Sequence, residues 1–454
     1  MGRTPVRGAP RTRGGSRWRR ALNPRAGGDR GIARQKSRKF SRVASGCHEF
    51  GGTSCGVCVF ARGNSRRPSA RGCGMKLSLS MVVGVVVAST STVHAGWTAI
   101  NHHDGNYLGG SIIWAGQGST IVGSAGPTGT VPFGSPFAGS LSLSGSLQQL
   151  PSLGGSNSTA RGIDNGQIVG SSGNSVGRAT VWDATTYVST SLHQTAWISS
   201  QLYGVQNGRQ VGHVQTSSTS SNRAAIWSGS ASSMMILHPT DSSVSSSSAR
   251  SIYGSQVAGF VLSASGPQRA ALWNPDSATP TAWVNLNPTG AVRSVANSVH
   301  SGLQGGDASF VIGSSTIRMA GIWSGTSDSW VSLARADFTS STVNGVFDGL
   351  QAGSIITDGS TGNWRASFWS GTAESWVNLH DFLPSHYSRS EALSIWRHDG
   401  RIHIGGTARN SITGREEAHV WTFEQPLTLI PLPTGAGLAF AGLGVLAIRR
   451  RTRG

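Results

Sequence analysis

A short pattern ending in tryptophan returns through most of the chain and limits what it can fold into. The copies read Arg178-Ala-Thr-Val-Trp182, Arg223-Ala-Ala-Ile-Trp227, Arg269-Ala-Ala-Leu-Trp273, Arg318-Met-Ala-Gly-Ile-Trp323, Arg365-Ala-Ser-Phe-Trp369 and Glu417-Ala-His-Val-Trp421. Successive tryptophans lie 45, 46, 50, 46 and 52 residues apart. A near-constant period of that size implies units that stack on one another or close into a circle, since one unit alone cannot bury its apolar face.

Each unit also carries an extended run ending in glycine. These runs are Ile121-Val-Gly123, Gln167-Ile-Val-Gly170, Gln210-Val-Gly212, Gln256-Val-Ala-Gly259, Leu350-Gln-Ala-Gly353 and His403-Ile-Gly405, with a degenerate Leu303-Gln-Gly-Gly306. A last apolar strand follows in units such as Trp283-Val-Asn-Leu286, Trp330-Val-Ser-Leu333 and Trp376-Val-Asn-Leu379. Three or four short strands in about 45 residues match the size of one propeller blade. The expectation is an all-β repeat propeller over residues 96–428, with seven units beginning near residues 119, 157, 200, 248, 291, 341 and 389. Six blades and a β-solenoid are the alternatives. In the first unit Pro136-Phe-Ala-Gly-Ser-Leu141 replaces the arginine–tryptophan strand. Residues 97–117 make strands without a full unit, and pairing them with the last blade would close the ring and remove exposed edges.

The formal charge of +19 misleads, because it is concentrated at the ends. Residues 1–74 hold 18 Lys and Arg against Asp29 and Glu49, while the region from Leu77 to Ile448 has 15 basic and 17 acidic residues. The repeat body is therefore near neutral and offers nucleic acid no polycationic face. All four cysteines, Cys47, Cys55, Cys58 and Cys73, precede it. The body must hold itself by burial and backbone hydrogen bonds.

Residues 1–74 have too little apolar periodicity to offset the entropy of ordering, so disorder is expected. A zinc site on Cys55 and Cys58 lacks a second pair at suitable spacing. From Met75, a short basic start, an apolar run and the small-residue end Val93-His94-Ala95 have the anatomy of a secretory signal peptide over residues 75–95, with cleavage after Ala95. Since such peptides stand at a true N-terminus, residues 1–74 read as a mis-called gene start. Residues 429–454 combine Pro431-Leu432-Pro433, a 15-residue apolar stretch from Thr434 to Ile448, and Arg449, Arg450 and Arg451. This predicts a short transmembrane sorting helix with its arginines left in the cytoplasm.

That tail resembles the PEP-CTERM sorting signal of Gram-negative and planctomycete-type bacteria, in the variant where Pro-Leu-Pro replaces Pro-Glu-Pro. The resemblance implies recognition by an exosortase after Sec export, with transient anchoring in the inner membrane. The body is similar to HAF-repeat extracellular proteins, through Ala418-His-Val-Trp421, Arg365-Ala-Ser-Phe-Trp369 and the glycine-ending run Gln167-Ile-Val-Gly170. Those repeats carry no chemistry that transfers residue by residue.

Among candidate sites, Trp182, Trp227, Trp273, Trp323, Trp369 and Trp421 read as core residues packed between blades; a ring of tryptophans stacking on sugars is the functional alternative. His102-His103-Asp104, His386, His398 and His403 invite a metal, but adjacent histidines on a strand face opposite ways. No calcium loop, serine elbow, phosphate loop or zinc-protease motif occurs. The reading is thus a non-enzymatic structural or adhesive protein of the cell surface or extracellular matrix, with no metal and no cofactor. Its partners would be exosortase, the Sec machinery and exopolysaccharide or other surface glycans, with no nucleic acid. A secreted carbohydrate-active hydrolase or lyase is the alternative, and it requires paired carboxylates in a central channel.

Overall fold

The structure, a computed structural model, describes residues 96–424 apart from 108, 127–133, 155–157, 174–175, 217–220, 265 and 361. Residues 1–74, the signal peptide expected over 75–95 and the sorting tail expected over 429–454 lie outside the described residues. No described helix is long and apolar enough to cross a membrane.

The described chain is all-β, with four short 3-10 turns and otherwise strands. Antiparallel strands form five four-stranded sheets and one of eight. The larger sheet consists of two four-stranded groups joined by a single parallel pairing, Arg318 with Ser340. In every group but one the strands follow one another in sequence. The exception is built from both ends of the repeat region: Trp97–Asn101 pairs along the outer edge of Glu416–Phe423, with Trp97 opposite Phe423.

The first strand of each group packs against the first strand of the next. Ser111–Gln117 meets Thr159–Asp164, and contacts continue through Ser199–Gln206, Val244–Tyr253, Ala291–His300, Ser340–Phe347 and Tyr387–His398, which returns to Ser111–Gln117. A cycle of inner strands around a central channel, each leading outward into its sheet, is β-propeller architecture. Ring closure uses only part of residues 97–117. Trp97–Asn101 completes the last sheet, whereas Ser111–Gln117 is the innermost strand of the first, which therefore begins at residue 111 rather than near 119.

The inner hairpins turn tightly. At Asn165-Gly166 the φ angles are 44° and 79°, and at Asn207-Gly208 they are 48° and 73°. Two successive positive values define the type I′ turn, which matches the twist of the strands it joins.

All seven inner strands share one irregularity. Pairing slips by one residue at Trp114, Arg161, Tyr203, Arg250, Asn297, Asn344 and Leu393, which leaves each of these in a β-bulge. The glycine that ends the extended run lies against this bulge. A Cβ on Gly123, Gly170, Gly212, Gly259, Gly306, Gly353 or Gly406 would sit 1.8–2.0 Å from the carbonyl oxygen two residues before the bulge, as with Gly212 and Gln201. No side chain fits there. In the last unit the residue so placed is Gly406, not the Gly405 at which the run reads as ending; a Cβ on Gly405 would instead meet the Ile113 side chain at 2.6 Å.

Hydrophobic clusters fill the seams between sheets. Trp182 packs with Val122, Leu150 and Ala160; Trp323 packs with Ala258, Leu286 and Ala296; Trp421 packs with Ala352, Phe368 and Leu379. At the closing seam Trp396 of the inner strand joins Ile113, Phe137 and Val420. Its ring takes space that a Cβ on Gly116 would enter at 2.4 Å.

Gly212→Ala must therefore move backbone rather than a flexible side chain, and a loss of roughly 3 kcal/mol is expected in equilibrium denaturant unfolding. Gly105→Ala, where a Cβ meets nothing within 4 Å, should be near neutral.

Candidate binding site in the central channel

The residues made conspicuous by the repeat are structural in position. Trp182, Trp227, Trp273, Trp323, Trp369 and Trp421 are at most 1% exposed, so none can stack on a sugar. Two of these indole N–H groups have backbone acceptors: Trp182 donates to Pro151 O at 2.7 Å and Trp421 to Leu379 O at 2.9 Å.

The alanine of the repeated pattern has a role that sequence reasoning missed. Its backbone N–H donates across the seam to a serine of the next inner strand, as from Ala179 to Ser200 Oγ at 2.9 Å, Ala224 to Ser247 at 2.9 Å and Ala366 to Ser390 at 3.0 Å. Ala418 donates likewise to Ser111, across the seam that closes the ring. A histidine orients several of these hydroxyls: His193 on Ser200 at 2.9 Å, His238 on Ser247 at 2.7 Å, His380 on Ser390 at 2.8 Å and His103 on Ser111 at 2.7 Å. These Ser–His pairs are not nucleophiles in waiting. Each serine is wholly buried and its oxygen already accepts an amide proton. The first unit explains itself here. Pro136 occupies the alanine position and has no N–H to give, and Ser158, immediately before the next inner strand, bonds Ser152 and Ser172 instead.

Of the histidines nominated for metal binding, His102, His398 and His403 border one cavity, with the His398 and His403 rings 6.2 Å apart, while His386 lies against Tyr387. His102 is fully buried, His103 serves Ser111, and Asp104 accepts from the backbone of Asn106 and Leu147. His403 bonds Thr422 at 3.0 Å. Among the described residues no three His, Cys, Asp or Glu side chains converge on a metal position.

The bulges do converge. They turn their residues into the channel, where all seven inner strands line a cavity of about 270 Å³. One side is cationic and aromatic. The Arg161 guanidinium lies 4.0 Å over Trp114 and 5.7 Å from Tyr203, and Arg250 lies 6.0 Å from Tyr203 and 5.3 Å from Phe260. Tyr203 OH donates to Gln201 at 2.8 Å, and Trp114 Nε1 to Ser124 at 3.2 Å. The other side carries amides and aliphatics. Asn297 Nδ2 donates to Val343 O at 2.9 Å, Asn344 Nδ2 donates to Ala392 O at 2.8 Å, and Leu393, Val346 and Ile395 complete the wall.

Desolvation between the channel walls depresses both arginine pKa values from their ordinary range; Arg250 adds repulsion at Arg161, while Tyr203 opposes the fall. Behind them His213 is held down to about 4, first by burial and then by Arg250. Carboxylates near the channel are mostly neutralised. Asp307, with no exposure, takes Arg293 at 3.1 Å, Arg318 at 2.8 Å and the Thr342 hydroxyl at 3.1 Å. Glu416 is held by Arg389 and Arg409. Glu391, two residues before Leu393 and so on the same strand face, has its pKa raised by burial and by Glu416. The channel residues recur at spacings of 47, 42, 47, 47, 47 and 49, as regular as the tryptophans, yet no one residue type runs through the set and no motif results.

Comparison with known proteins finds no matching protein family and no matching curated protein. Solved structures are similar at low identity. TolB from Acinetobacter baumannii aligns at 10% identity over 53% of this chain and 58% of that one, with a TM-score of 0.37. A puromycin hydrolase aligns at 10% over 70% and 56%, with a TM-score of 0.45. The β-propeller domain of the Trilobed protease from Pyrococcus furiosus aligns at 12% over 69% and 95%, with a TM-score of 0.42. This chain spans little more than half the length of the first two. At such scores the architecture rests on the strand order alone.

Two outcomes follow for stability. Ser247→Ala leaves the buried Ala224 N–H without its acceptor and should cost about 1–3 kcal/mol in denaturant unfolding. Acid should also destabilise. His102, His213, His380 and His419 are depressed to about 4, chiefly by burial, whereas the unfolded chain protonates them near 6.5. Their contribution is fully present above about 6.5 and is lost as pH falls toward 4, so Tm should drop steeply across that interval.

Proposed function

We propose that this protein is an exported, non-enzymatic β-propeller of seven blades, serving as a structural or adhesive component of the cell surface or extracellular matrix. The observation that carries the reading is the cyclic strand order closed by Trp97–Asn101, with a hydrogen-bonded serine clasp at successive seams. Such a ring ties the two ends of the repeat region into one four-stranded sheet and holds together without a single cysteine in the body. The two terminal signals in the sequence support the same route: Sec export with cleavage after Ala95, transient anchoring in the inner membrane, and exosortase processing near Pro431-Leu432-Pro433.

A secreted carbohydrate-active hydrolase or lyase is the second reading, and one observation favours it. Glu391 has the raised pKa that a general acid needs. Against it, Glu416, whose charge raises that pKa, is bound by two arginines, so the free carboxylate partner that glycoside cleavage requires is wanting among the described residues.

Terminal-peptide and intact-mass spectrometry on the surface fraction of the native host is the deciding experiment. Termini near Gly96 and just after Pro433 are expected. A cytosolic protein that keeps residues 1–74 would overturn the reading.

A further inference from the structure

We propose that the central channel binds the carboxylate of an acidic sugar, with Arg161 and Arg250 holding the anion and the Asn344–Leu393 side holding the ring. This inference deepens the surface-scaffold reading and rests on it for the source of the ligand, but its geometry stands alone.

Arg161 and Arg250 both project from bulges into one confined space. Among the described residues neither has a carboxylate within ion-pair distance, although Arg293, Arg318, Arg389 and Arg409 along neighbouring strands all do. Their contacts are aromatic faces and weak polar ones: Arg161 Nε on Thr159 Oγ1 at 3.4 Å and Arg250 on Asn297 Oδ1 at 3.4 Å. The Trp114 face 4.0 Å away steadies the Arg161 guanidinium and rings at 5.3 and 6.0 Å border that of Arg250, and a guanidinium so placed can receive a carboxylate through two parallel hydrogen bonds. Two cations without an ion-pair partner repel each other, with Asp307 reaching Arg250 only at longer range, and an anion between them relieves that repulsion.

The rest of the cavity selects what carries the anion. A volume of about 270 Å³ exceeds what a bare tetrahedral anion fills. Asn344 Nδ2 is committed to Ala392 O, which leaves its Oδ1 as an acceptor with no protein donor among the described residues. Leu393, Val346 and Ile395 beside it offer apolar surface. Acceptor plus aliphatic wall suits the hydroxyls and C–H face of a pyranose, whereas inorganic phosphate at neutral pH finds its donors only on the arginine side.

The test is calorimetric titration of the intact protein with glucuronate, galacturonate and an acidic uronate oligosaccharide, with glucose and inorganic phosphate as comparisons. Binding of a uronate is expected, weakening as salt rises from about 0.1 M to about 1 M, where the screening length falls to roughly 3 Å. Arg250→Gln should weaken it at least ~10-fold, while Arg178→Gln, on the exposed end of its strand, should leave it unchanged. Arg250→Gln is the cleaner of the two channel variants because Arg250 keeps more of its surface open to channel water than Arg161 does, and circular dichroism with Tm confirms that it folds. Monomer binding places the source in free sugar acids; binding of the oligosaccharide alone places it in polysaccharide. Equal binding of glucose or of phosphate, or none by any uronate, would overturn the proposal. Those failures leave the termini recovered from the surface fraction untouched, so the two readings fail separately.

Discussion

The close approach of a bulged inner strand to a glycine on its neighbour is the constraint from which the rest of the molecule follows. In each unit the slip of one residue brings a carbonyl oxygen to where a Cβ would be, and only glycine permits it. The slip does two things at once. It re-aims one residue per blade into the channel, and it leaves the residues on either side in position to pack the seams. Ala160, Ala249, Ala296 and Ala392 immediately precede bulges and are fully buried in those seams.

Seam chemistry then divides between burial and hydrogen bonding. The tryptophans and their aliphatic neighbours supply the apolar area, while a buried serine collects an amide proton from the preceding sheet. Burying that N–H without an acceptor would be costly, so the small residue at the alanine position and the serine facing it belong to one device. The first unit tests this logic from within. With Pro136 in place of alanine there is no proton to collect, and the serine turns to other hydroxyls. With Gly139 at the tryptophan position, Phe137 on the same strand is buried in its stead.

The channel stands apart from this economy. Around the ring the amides at the alanine position are taken up by serines of the next blade, yet Arg161 and Arg250 have no carboxylate within ion-pair distance among the described residues. That departure lies at the centre, where a propeller presents side chains from every blade to one small volume.

The sequence by itself determined the repeat, its all-β character and the division of charge, because these depend on spacing and on the pattern of side chains along single strands. Seam tryptophans and glycine-ending runs were visible because the same physical demand recurs in every unit and so selects the same residue type. Where the demand differs from blade to blade, nothing recurs to be seen. Trp114, Arg161, Tyr203, Arg250, Asn297, Asn344 and Leu393 share a backbone position but no single residue type, and only the folded ring brings them within one cavity. Closure was legible in part: residues 97–117, strands without a full unit of their own, pointed to a pairing with the last blade. Tertiary structure decided how they divide, with Trp97–Asn101 sealing the last sheet and Ser111–Gln117 opening the first, because that depends on which edge each strand meets.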